Sequence, residues 1–430
     1  MNLKNGECRG PLIDCTEEAA LKYALLERFV RYAKIWTSSD PGRAETPTSA
    51  GQWELARLLQ AEFAALGIDS ELSGHCYLIA RIPSNLPPGI PVPETTGFLA
   101  HLDTSGDVPG KDVKPVVVDN YDGRPIVLRD GVTIEPAADA VGKTIVHADG
   151  TTLLGADDKA GIAAIVSAAA FLVSRDDIKH GPLELIFTPD EETGRGLPEF
   201  PREKVKSTVC FTLDGGAGGE LEIECFNAYG VDVTFTGSAI HPGAARGILV
   251  NAALMAAHFA VMLPRTESPE ATDGRYGFYC LMDSSGSHES ARQKIIVRDF
   301  LRSGIERRLA ALESFARAVE AAFPGGRVVV DAKPSYYNMK EVIESRPEIL
   351  TRIEEAAGAA GVDLRFKPVR GGTDGARLAE MGIPTPNIFT GGRNFHSRSE
   401  WLLLEDLLAA CRLTIQLAAS HRQALKKDAS

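Results

Sequence analysis

Four short apolar runs, each bounded by Gly, Pro or Asp, constrain the fold more than any other feature of the chain. Their length and composition are typical of strands that are buried on both faces of a sheet. Residues 160–173, between the first run and the second, are apolar nearly all round and predict an interior helix. Strands that alternate with buried helices predict an α/β fold with a mixed sheet flanked by helices. The runs are TGFLAHLD (96–103), LELIFTPD (183–190), VCFTLDGG (209–216) and TPNIFTGG (385–392).

A chain of 430 residues exceeds the usual size of a single hydrophobic core, so two domains are expected. The stretch 226–337 differs from its flanks, because its strands alternate apolar and polar residues. Its elements follow the order β-α-β-β-α-β, which predicts a ferredoxin-like inserted domain. Residues 1–225 and 338–430 would then form one discontinuous domain. The insert is expected to contain strands at 231–237, 276–283, 294–300 and 327–336 and helices at 251–263 and 305–323.

Composition restricts the class of partner and the compartment. The net charge of −12 repels phosphate backbones and anionic membranes, so neither nucleic acid nor membrane is expected as a partner. Seven scattered cysteines without a CxxC pair indicate reduced thiols in the cytoplasm. No apolar segment suits a signal peptide or a membrane span. The N-terminal extension 1–15 has no pattern that assigns it a role, and Thr16 is expected to cap a helix after it.

Side chains of the metal-binding type stand where the predicted strands end or where the buried helix begins. Because open α/β sheets bind ligands outside the carboxyl ends of their strands, five separate segments would bring these groups to one edge. Zinc accepts imidazole nitrogen and carboxylate oxygen, and two ions need a shared carboxylate and about two further ligands each. The sequence therefore predicts a two-metal site. The groups are His101 and Asp103, Asp157 and Asp158, Glu191 and Glu192, Asp214, and His396.

Two of these pairs suggest a division of roles. Glu191 and Glu192 can supply both a ligand and a general base, because neighbouring side chains in an extended loop diverge. Asp103 lies two residues after His101 and therefore on the same face of the strand. From there its carboxylate can accept the second N–H of the imidazole, which would fix the orientation of the ring.

At these residues the chain resembles the tripeptide aminopeptidases of the M20 metallopeptidase clan. The resemblance extends over roughly residues 22–420 and lies in both expected domains. HxD, GADDKAG and DEE are typical of the whole clan, whereas SYYNM together with RGGTDGA is more particular to the tripeptide aminopeptidases. The matching segments are GQW (51–53), HLDTS (101–105), TLLGADDKAGIA (152–163), FTPDEETG (187–194), LDGG (213–216), HPGAARGILVNA (241–252), ESPE (267–270), RDF (298–300), SYYNM (335–339), RGGTDGA (370–376) and NIFTGGRNFHSRSE (387–400).

The resemblance implies a discontinuous zinc-peptidase domain and an enzyme that removes the N-terminal residue from tripeptides with two Zn²⁺ per subunit. Glu191 would be the general base that activates a water between the metals, and Asp103 would support His101. The peptide bond after the shared aspartate would be cis. The implied ligands are His101, Asp157 and Asp214 for one zinc and Asp157, Glu192 and His396 for the other.

The inserted domain would be a lid that contributes to substrate binding. His241 would stabilise the oxyanion, and Arg298 would bind the C-terminal carboxylate of a short peptide. Lids of related enzymes often pair two subunits, which leaves open a homodimer through this domain. The residues implied to line the substrate cleft are Gly371, Gly372, Thr373 and Asp374.

Simpler interpretations of single residues stay open at this stage. A histidine can be structural or lie in a turn, an aspartate can cap a helix, and charged side chains can pair or be solvated. The segment HSRSE (396–400) also departs from the family pattern at its second residue and beyond. The residues concerned are His101, His396, Asp157, Asp158, Glu191, Glu192, His241 and Arg298, the last of which could pair with Asp299 or with another neighbour.

Other functions stay open as well. Dipeptidases, carboxypeptidases and N-acyl-amino-acid deacylases of the same clan would share the fold and the metals. Hydrolysis of Leu-Gly-Gly beside an N-acetylated tripeptide separates them from an aminopeptidase. An inactive binding protein on the same scaffold is the remaining alternative, although such a protein would be expected to lose a ligand or the base.

Overall fold

The computed structural model describes residues 12–420, which divide into two compact units. Cys8 and most of the extension 1–15 lie outside the described residues. No helix between residues 12 and 420 is long and apolar enough to cross a membrane. The first unit comprises residues 12–223, 342–367 and 373–420, and the second comprises residues 224–341 and 368–372.

The second unit is wider than the insert at 226–337 that the sequence predicted, and it includes the short segment 368–372. Backbone hydrogen bonding explains the added segment, because the N–H of Val369 donates to the carbonyl of Glu224 at 2.8 Å. A return segment of this length has no periodic pattern, so its place could not be predicted.

The described residues form nine α-helices and eighteen strands. The helices are α1 (Cys15–Ala33), α2 (Ala50–Ala65), α3 (Ala156–Val173), α4 (Ala252–Met262), α5 (Arg302–Ala322), α6 (Lys340–Glu344), α7 (Pro347–Ala360), α8 (Asp374–Glu380) and α9 (Leu404–Ala419). The strands are β1 (Asp69–Leu72), β2 (Leu78–Ile82), β3 (Thr96–His101), β4 (Val116–Val118), β5 (Ile126–Val127), β6 (Thr133–Ile134), β7 (Ile145–His147), β8 (Leu183–Thr188), β9 (Val209–Gly215), β10 (Glu220–Glu222), β11 (Asn227–Thr236), β12 (Phe278–Gly286), β13 (Ser290–Asp299), β14 (Arg327–Tyr336), β15 (Arg365–Phe366), β16 (Asn387–Phe389), β17 (Gly392–Arg393) and β18 (Trp401–Leu403).

The first unit is built on an eight-stranded sheet with the order β1-β2-β8-β3-β9-β16-β10-β15. Its central strands β8, β3, β9 and β16 are parallel, whereas β2 runs antiparallel to β8 and β10 runs antiparallel to β16. Every residue of β3 and β8 is buried, as continuous apolar runs predict. Helix α3 packs against β3 and β9 on one side and against α1 and α9 on the other. The predicted α/β fold with a mixed sheet is confirmed.

Asp14, rather than Thr16, caps helix α1. Its carboxylate accepts the N–H groups of Thr16 and Glu17 at 2.8 and 2.9 Å, and the Glu17 carboxylate accepts the N–H of Asp14 at 3.0 Å. This reciprocal arrangement is a capping box, which satisfies donors that a helix start leaves unpaired. The predicted cap at Thr16 is wrong by two residues, because the earlier acid already serves these donors.

The second unit contains β11, α4, β12, β13, α5 and β14 in succession, in the predicted β-α-β-β-α-β order. Its strands are antiparallel, with the order β12-β13-β11-β14. Alternate residues of β13 are buried, which is typical of a sheet with one face on a core. Helices α4 and α5 pack on that face around Val233, Phe235 and Val297. This is a ferredoxin-like α+β unit, and its role as a lid stays a prediction.

Candidate metal centre

The carboxyl ends of the central parallel strands hold most of the predicted metal ligands. His101 is the last residue of β3, Asp214 is the next-to-last residue of β9, and Glu192 follows the end of β8. Asp157 lies at the start of α3, and His396 follows β17. Because parallel strands end at the same edge, the fold brings these five segments together.

Asp157 stands between the two predicted ligand imidazoles. Its Oδ1 lies 2.8 Å from Nε2 of His101, and its Oδ2 lies 3.2 Å from Nε2 of His396. A carboxylate that presents one oxygen to each imidazole is placed as the shared ligand of two ions must be. The peptide bond between Asp157 and Asp158 is cis, as the family resemblance implies.

Each imidazole has a second carboxylate beside it. Asp214 Oδ1 lies 3.6 Å from Nε2 of His101, and Glu192 Oε2 lies 2.9 Å from Nε2 of His396. Two groups of three residues have ligand atoms that all lie within 4.8 Å of one another, close enough to hold an ion. These groups are His101 with Asp157 and Glu192, and His101 with Asp158 and Asp214.

Asp158 differs from the predicted ligands, because backbone donors bind both of its oxygens. Oδ2 accepts the N–H of His101 at 3.1 Å, and Oδ1 accepts the N–H of Gly161 at 3.2 Å. These bonds hold the first turn of α3 against the end of β3. Asp158 therefore has a structural task here, whereas the oxygens of Asp157 face imidazoles.

The electrostatics of the cluster fit divalent cations. Acid groups outnumber the two imidazoles, and their mutual repulsion is strong where water is excluded. Glu192 Oε1 is buried and makes no hydrogen bond within residues 12–420. A buried carboxylate oxygen without a partner is costly, and a cation directed at it would remove that cost. Imidazole nitrogen and carboxylate oxygen are donors that zinc accepts. The acid groups are Asp157, Asp158, Glu191, Glu192 and Asp214.

Burial and charge separate the acidities of these groups. Burial, together with the charge of Asp157, raises the pKa of Glu192 to about 8 and that of Asp214 to about 6. Burial also opposes ionisation of Asp157, but hydrogen bonds to His101 and His396 outweigh it and lower its pKa. Asp157 therefore holds its negative charge most firmly, as a shared ligand should.

Asp103 contacts both His101 and the loop of the predicted general base. Nδ1 of His101 lies 3.3 Å from the Asp103 carboxylate and 3.1 Å from its backbone oxygen. The same carboxylate accepts the N–H of Glu191 at 3.0 Å and that of Glu192 at 3.2 Å. Burial raises the pKa of Glu191 well above its usual range, which suits a group that accepts and returns a proton. The role of Glu191 as the base stays a prediction.

Three polar residues at the site were not predicted from the sequence. Asp107 Oδ2 lies 3.0 Å from Nδ1 of His396 and can orient this imidazole, as Asp103 does for the first. The Asn387 side-chain oxygen accepts the N–H of Asp214 at 3.1 Å. Glu400 accepts N–H groups of residues 154, 155 and 157, where the chain enters α3. Their partners are far away along the chain, so no local spacing could identify them.

A cleft of about 630 Å³ borders the predicted ligands Glu192 and His396. Trp36, which is half exposed, contributes an apolar wall, and the carboxylates of Asp40 and Asp107 also line the cleft. Its volume suits a small ligand or one side chain of a larger one.

His241 and Arg298, the residues predicted to contact substrate from the insert, belong to the second unit. His241 is exposed, and its Nδ1 accepts the N–H of Gly243 at 3.1 Å. Arg298 is half-buried and donates through Nη1 to two backbone carbonyls of its own sheet. Asp299 pairs with Arg308 rather than with Arg298, so the structural contacts of Arg298 are to neighbouring backbone carbonyls and not to Asp299.

The predicted cleft residues 371–374 divide between the units, with Gly371 and Gly372 in the second and Thr373 and Asp374 in the first. A Cβ at Gly372 would lie 2.6 Å from the ring of Tyr336, so any larger residue there would require that ring to move. Asp374 is buried and accepts the Thr188 hydroxyl at 2.5 Å. Burial raises the pKa of Asp374 to about 7.

Comparisons with known proteins give a consistent result. Residues 134–420 match the model of peptidase family M20/M25/M40. A peptidase T of Geobacillus kaustophilus (strain HTA426) is 42% identical over 411 residues, which cover 94% of this chain and 99% of that protein. A peptidase T of Listeria monocytogenes serotype 4a (strain HCC23) is 42% identical over 406 residues, which cover 93% of this chain and 98% of that protein.

Solved structures share the fold over nearly the whole chain. An aminopeptidase PepT from Bacillus cereus ATCC 10987 superposes with a TM-score of 0.72 at 23% identity, covering 93% of this chain and 98% of that one. A tripeptidase from Staphylococcus aureus subsp. aureus Mu50 has a TM-score of 0.72 at 21% identity, with the same coverage.

Proposed function

The chain belongs to peptidase family M20/M25/M40, and we propose that it is a two-metal aminopeptidase that releases the N-terminal residue from tripeptides. The position of Asp157 carries the proposal, because each of its oxygens lies beside a different imidazole. The relatives named peptidase T, which are similar over almost the whole chain, support the tripeptide substrate within this family.

Two Zn²⁺ per subunit are the proposed cofactors. When bound, they polarise the scissile carbonyl and lower the pKa of a water molecule. The buried, unpaired Oε1 of Glu192 supports the presence of a cation beside this side chain. The residues that would hold the ions are His101, Asp157 and Asp214 for one, and Asp157, Glu192 and His396 for the other.

Glu191 is the general base in this proposal. Its carboxylate accepts a proton from the attacking water and then donates that proton to the nitrogen of the departing amine as the peptide bond breaks. Asp103 supports this step, because one carboxylate binds the backbone of Glu191 and contacts the imidazole of His101. The base and one ligand are therefore held by the same group.

The cleft beside Glu192 and His396 is the proposed place for the N-terminal residue of the substrate. An enzyme that requires a free N-terminus needs an anion near the ammonium group, and the exposed carboxylate of Asp107 can serve. His241 would stabilise the oxyanion and Arg298 would bind the substrate's C-terminus, as the family resemblance implies. A homodimer through the second unit and a cytoplasmic location stay predictions in the same way.

Hydrolysis of Leu-Gly-Gly tests the proposal. The purified protein is stripped with a chelator and reconstituted with Zn²⁺, metal content is measured by mass spectrometry, and products are separated by chromatography. We expect activity only with metal, two ions per chain at full activity, and the products Leu and Gly-Gly. Release of free glycine together with Leu-Gly would indicate a carboxypeptidase. Cleavage of N-acetyl-Leu-Gly-Gly would show that the enzyme does not require a free N-terminus on its substrate. A protein with both ions that leaves Leu-Gly-Gly intact contradicts the proposal.

A further inference from the structure

Glu400 is a buried carboxylate that binds the backbone of residues 154–157, where the chain enters helix α3. The residue is 1% exposed. Its Oε2 accepts the N–H groups of Leu154 and Gly155, each at 2.8 Å, and its Oε1 accepts the N–H of Asp157 at 3.2 Å. Glu400 follows His396 by four residues and directly precedes β18. One carboxylate thus connects the two chain segments that carry the shared ligand and the second imidazole.

We propose that Glu400 is a positioning residue that holds the Asp157 loop in the orientation in which one carboxylate can be shared by two ions. This inference rests on the proposed function. The oxygens of Asp157 reach His101 and His396 at 2.8 and 3.2 Å, a spacing that depends on where the backbone of residue 157 lies. Glu400 binds that backbone directly, through the N–H of Asp157 itself.

The contact requires two acceptor oxygens, which an amide of the same size does not have. A carboxylate accepts at both oxygens, whereas an amide accepts at one end and donates at the other. In Glu400→Gln the amide oxygen can still accept from Leu154 and Gly155. Its NH₂ group would then face the N–H of Asp157, donor against donor, so the backbone of the shared ligand would lose its partner and move.

Loss of a group that orients a metal ligand typically lowers metal affinity about 10–100-fold, and we expect an effect of that size for Glu400→Gln. The side chains of all five predicted ligands are unchanged in this variant. Any loss of affinity would therefore arise from their placement.

Glu184 offers a matched control, because it is an equally buried carboxylate that also binds backbone. It is 1% exposed, and its Oε2 accepts the N–H groups of Lys206 and Ser207 at 2.9 and 2.8 Å. It lies at the start of β8, whereas the predicted ligands follow the strand ends. Its Oε1 also pairs with Arg81 at 3.1 Å, so Glu184→Gln removes an ion pair as well and is a stringent control for a loss of stability that does not touch a ligand loop.

The experiment compares the wild-type protein with both variants in three measurements. Zn²⁺ affinity is measured by competition with a chelator, and the geometry of the site is measured by the visible absorption of the Co²⁺-substituted protein. Hydrogen exchange of the amides at residues 154–157 is measured by mass spectrometry before metal is added. In Glu400→Gln we expect weaker Zn²⁺ binding, altered Co²⁺ bands and faster exchange at 154–157, and in Glu184→Gln we expect none of these changes.

The outcomes separate this inference from the proposed function. If the wild-type protein binds no divalent ion, the proposed function fails, whereas the exchange data still test whether Glu400 holds the loop. If Glu400→Gln binds two ions with wild-type affinity and an unchanged Co²⁺ spectrum, the positioning role is wrong. Should Glu400→Gln not fold, Glu400→Asp keeps the charge but withdraws the carboxylate by one methylene. Glu400→Asp is also expected to bind Zn²⁺ more weakly than the wild-type protein. Wild-type affinity in Glu400→Asp would overturn the inference.

Discussion

At the residue scale, Glu191 and Glu192 show how neighbouring carboxylates can take different roles. Both donate their backbone N–H to Asp103, so the loop that carries them is fixed as a unit. The Glu192 carboxylate lies 2.9 Å from Nε2 of His396, where it can act as the predicted metal ligand. Burial raises the pKa of Glu191 well above its usual range, which favours a group that accepts a proton.

Replacement of Glu191 by glutamine separates the two roles. Glu191→Gln is expected to lower kcat about 10²–10⁴-fold, because an amide cannot accept the proton, while two metal ions remain bound. Steady-state kinetics and metal analysis on the same preparation measure both effects. Glu203→Gln, an exposed change in the short 3-10 helix Arg202–Lys204, serves as the control and should leave kcat unaltered. A Glu191→Gln protein with near-normal kcat would assign the base to another group.

The imidazoles predict a pH dependence of metal binding. Hydrogen bonds to Asp157 and Glu192 raise the pKa of His396 to about 11, and carboxylates likewise raise the pKa of His101 well above its usual range. A ligand imidazole must release its proton, so protons compete with the metal. Because the pKa of His396 is about 11, Zn²⁺ affinity should still be rising with pH at pH 8, with protons released on binding. Titration calorimetry in buffers of different ionisation enthalpy counts these protons, and affinity without pH dependence would contradict this view.

At the element scale, the close approach of helix α3 to strand β9 connects folding with the site. A Cβ at Gly161 would lie 1.9 Å from the carbonyl oxygen of Leu213, next to Asp214. Gly161→Ala is expected to lower the free energy of unfolding by about 1–3 kcal/mol, because overpacking outweighs the gain in helix propensity. It should also weaken metal binding, since the helix must move away from the strand. Denaturant unfolding and Zn²⁺ titration measure the two effects.

Gly358 in helix α7 is the matched control for this substitution. A Cβ there has no atom within 4 Å, so Gly358→Ala should raise stability by about 0.5–1 kcal/mol through helix propensity alone. Metal affinity should not change in this variant. Equal effects of the two substitutions would show that the helix–strand distance does not matter.

The elements that could be predicted from the sequence are those whose local pattern matches their environment. Strands β3, β8 and β9 were predicted within a few residues, because a fully buried strand needs a continuous apolar run. Helix α3 begins earlier than the predicted residue 160, but Asp157 and Asp158 at its start have non-helical angles. The strands β4, β7, β17 and β18 form a small sheet that was not predicted, because two or three residues carry no readable period.

The residues of the candidate site also differ in whether a local sequence pattern could identify them. The predicted ligands follow strands or begin a helix, so a local pattern marked them, and the structure brings them together. Asp107, Asn387 and Glu400 act on residues that lie far away in the chain, as when Glu400 binds Leu154. Such contacts arise only from tertiary packing, which no spacing in the sequence encodes.

At the scale of the whole molecule, the predicted site residues are distributed over two units. The proposed ligands and base belong to the first unit, and His241 and Arg298 belong to the second. In the proposed function, residues of the second unit select the length of the substrate, and residues of the first unit carry out hydrolysis. Substitutions in the second unit should then change KM for particular peptides and leave the metal content unaltered.

Arg298 allows the most direct test of whether the second unit selects the substrate. A charge-assisted hydrogen bond contributes about 1.5–3 kcal/mol, so Arg298→Ala should raise KM for Leu-Gly-Gly about 10–100-fold if the guanidinium binds the terminal carboxylate. The C-terminally amidated tripeptide lacks that carboxylate, and its KM should hardly change. Arg292→Ala, on the same strand and paired with Asp232 at 2.5 Å, controls for the loss of a positive charge. Equal increases for both peptides would mean that Arg298 supports the fold rather than selecting substrates by their C-terminus.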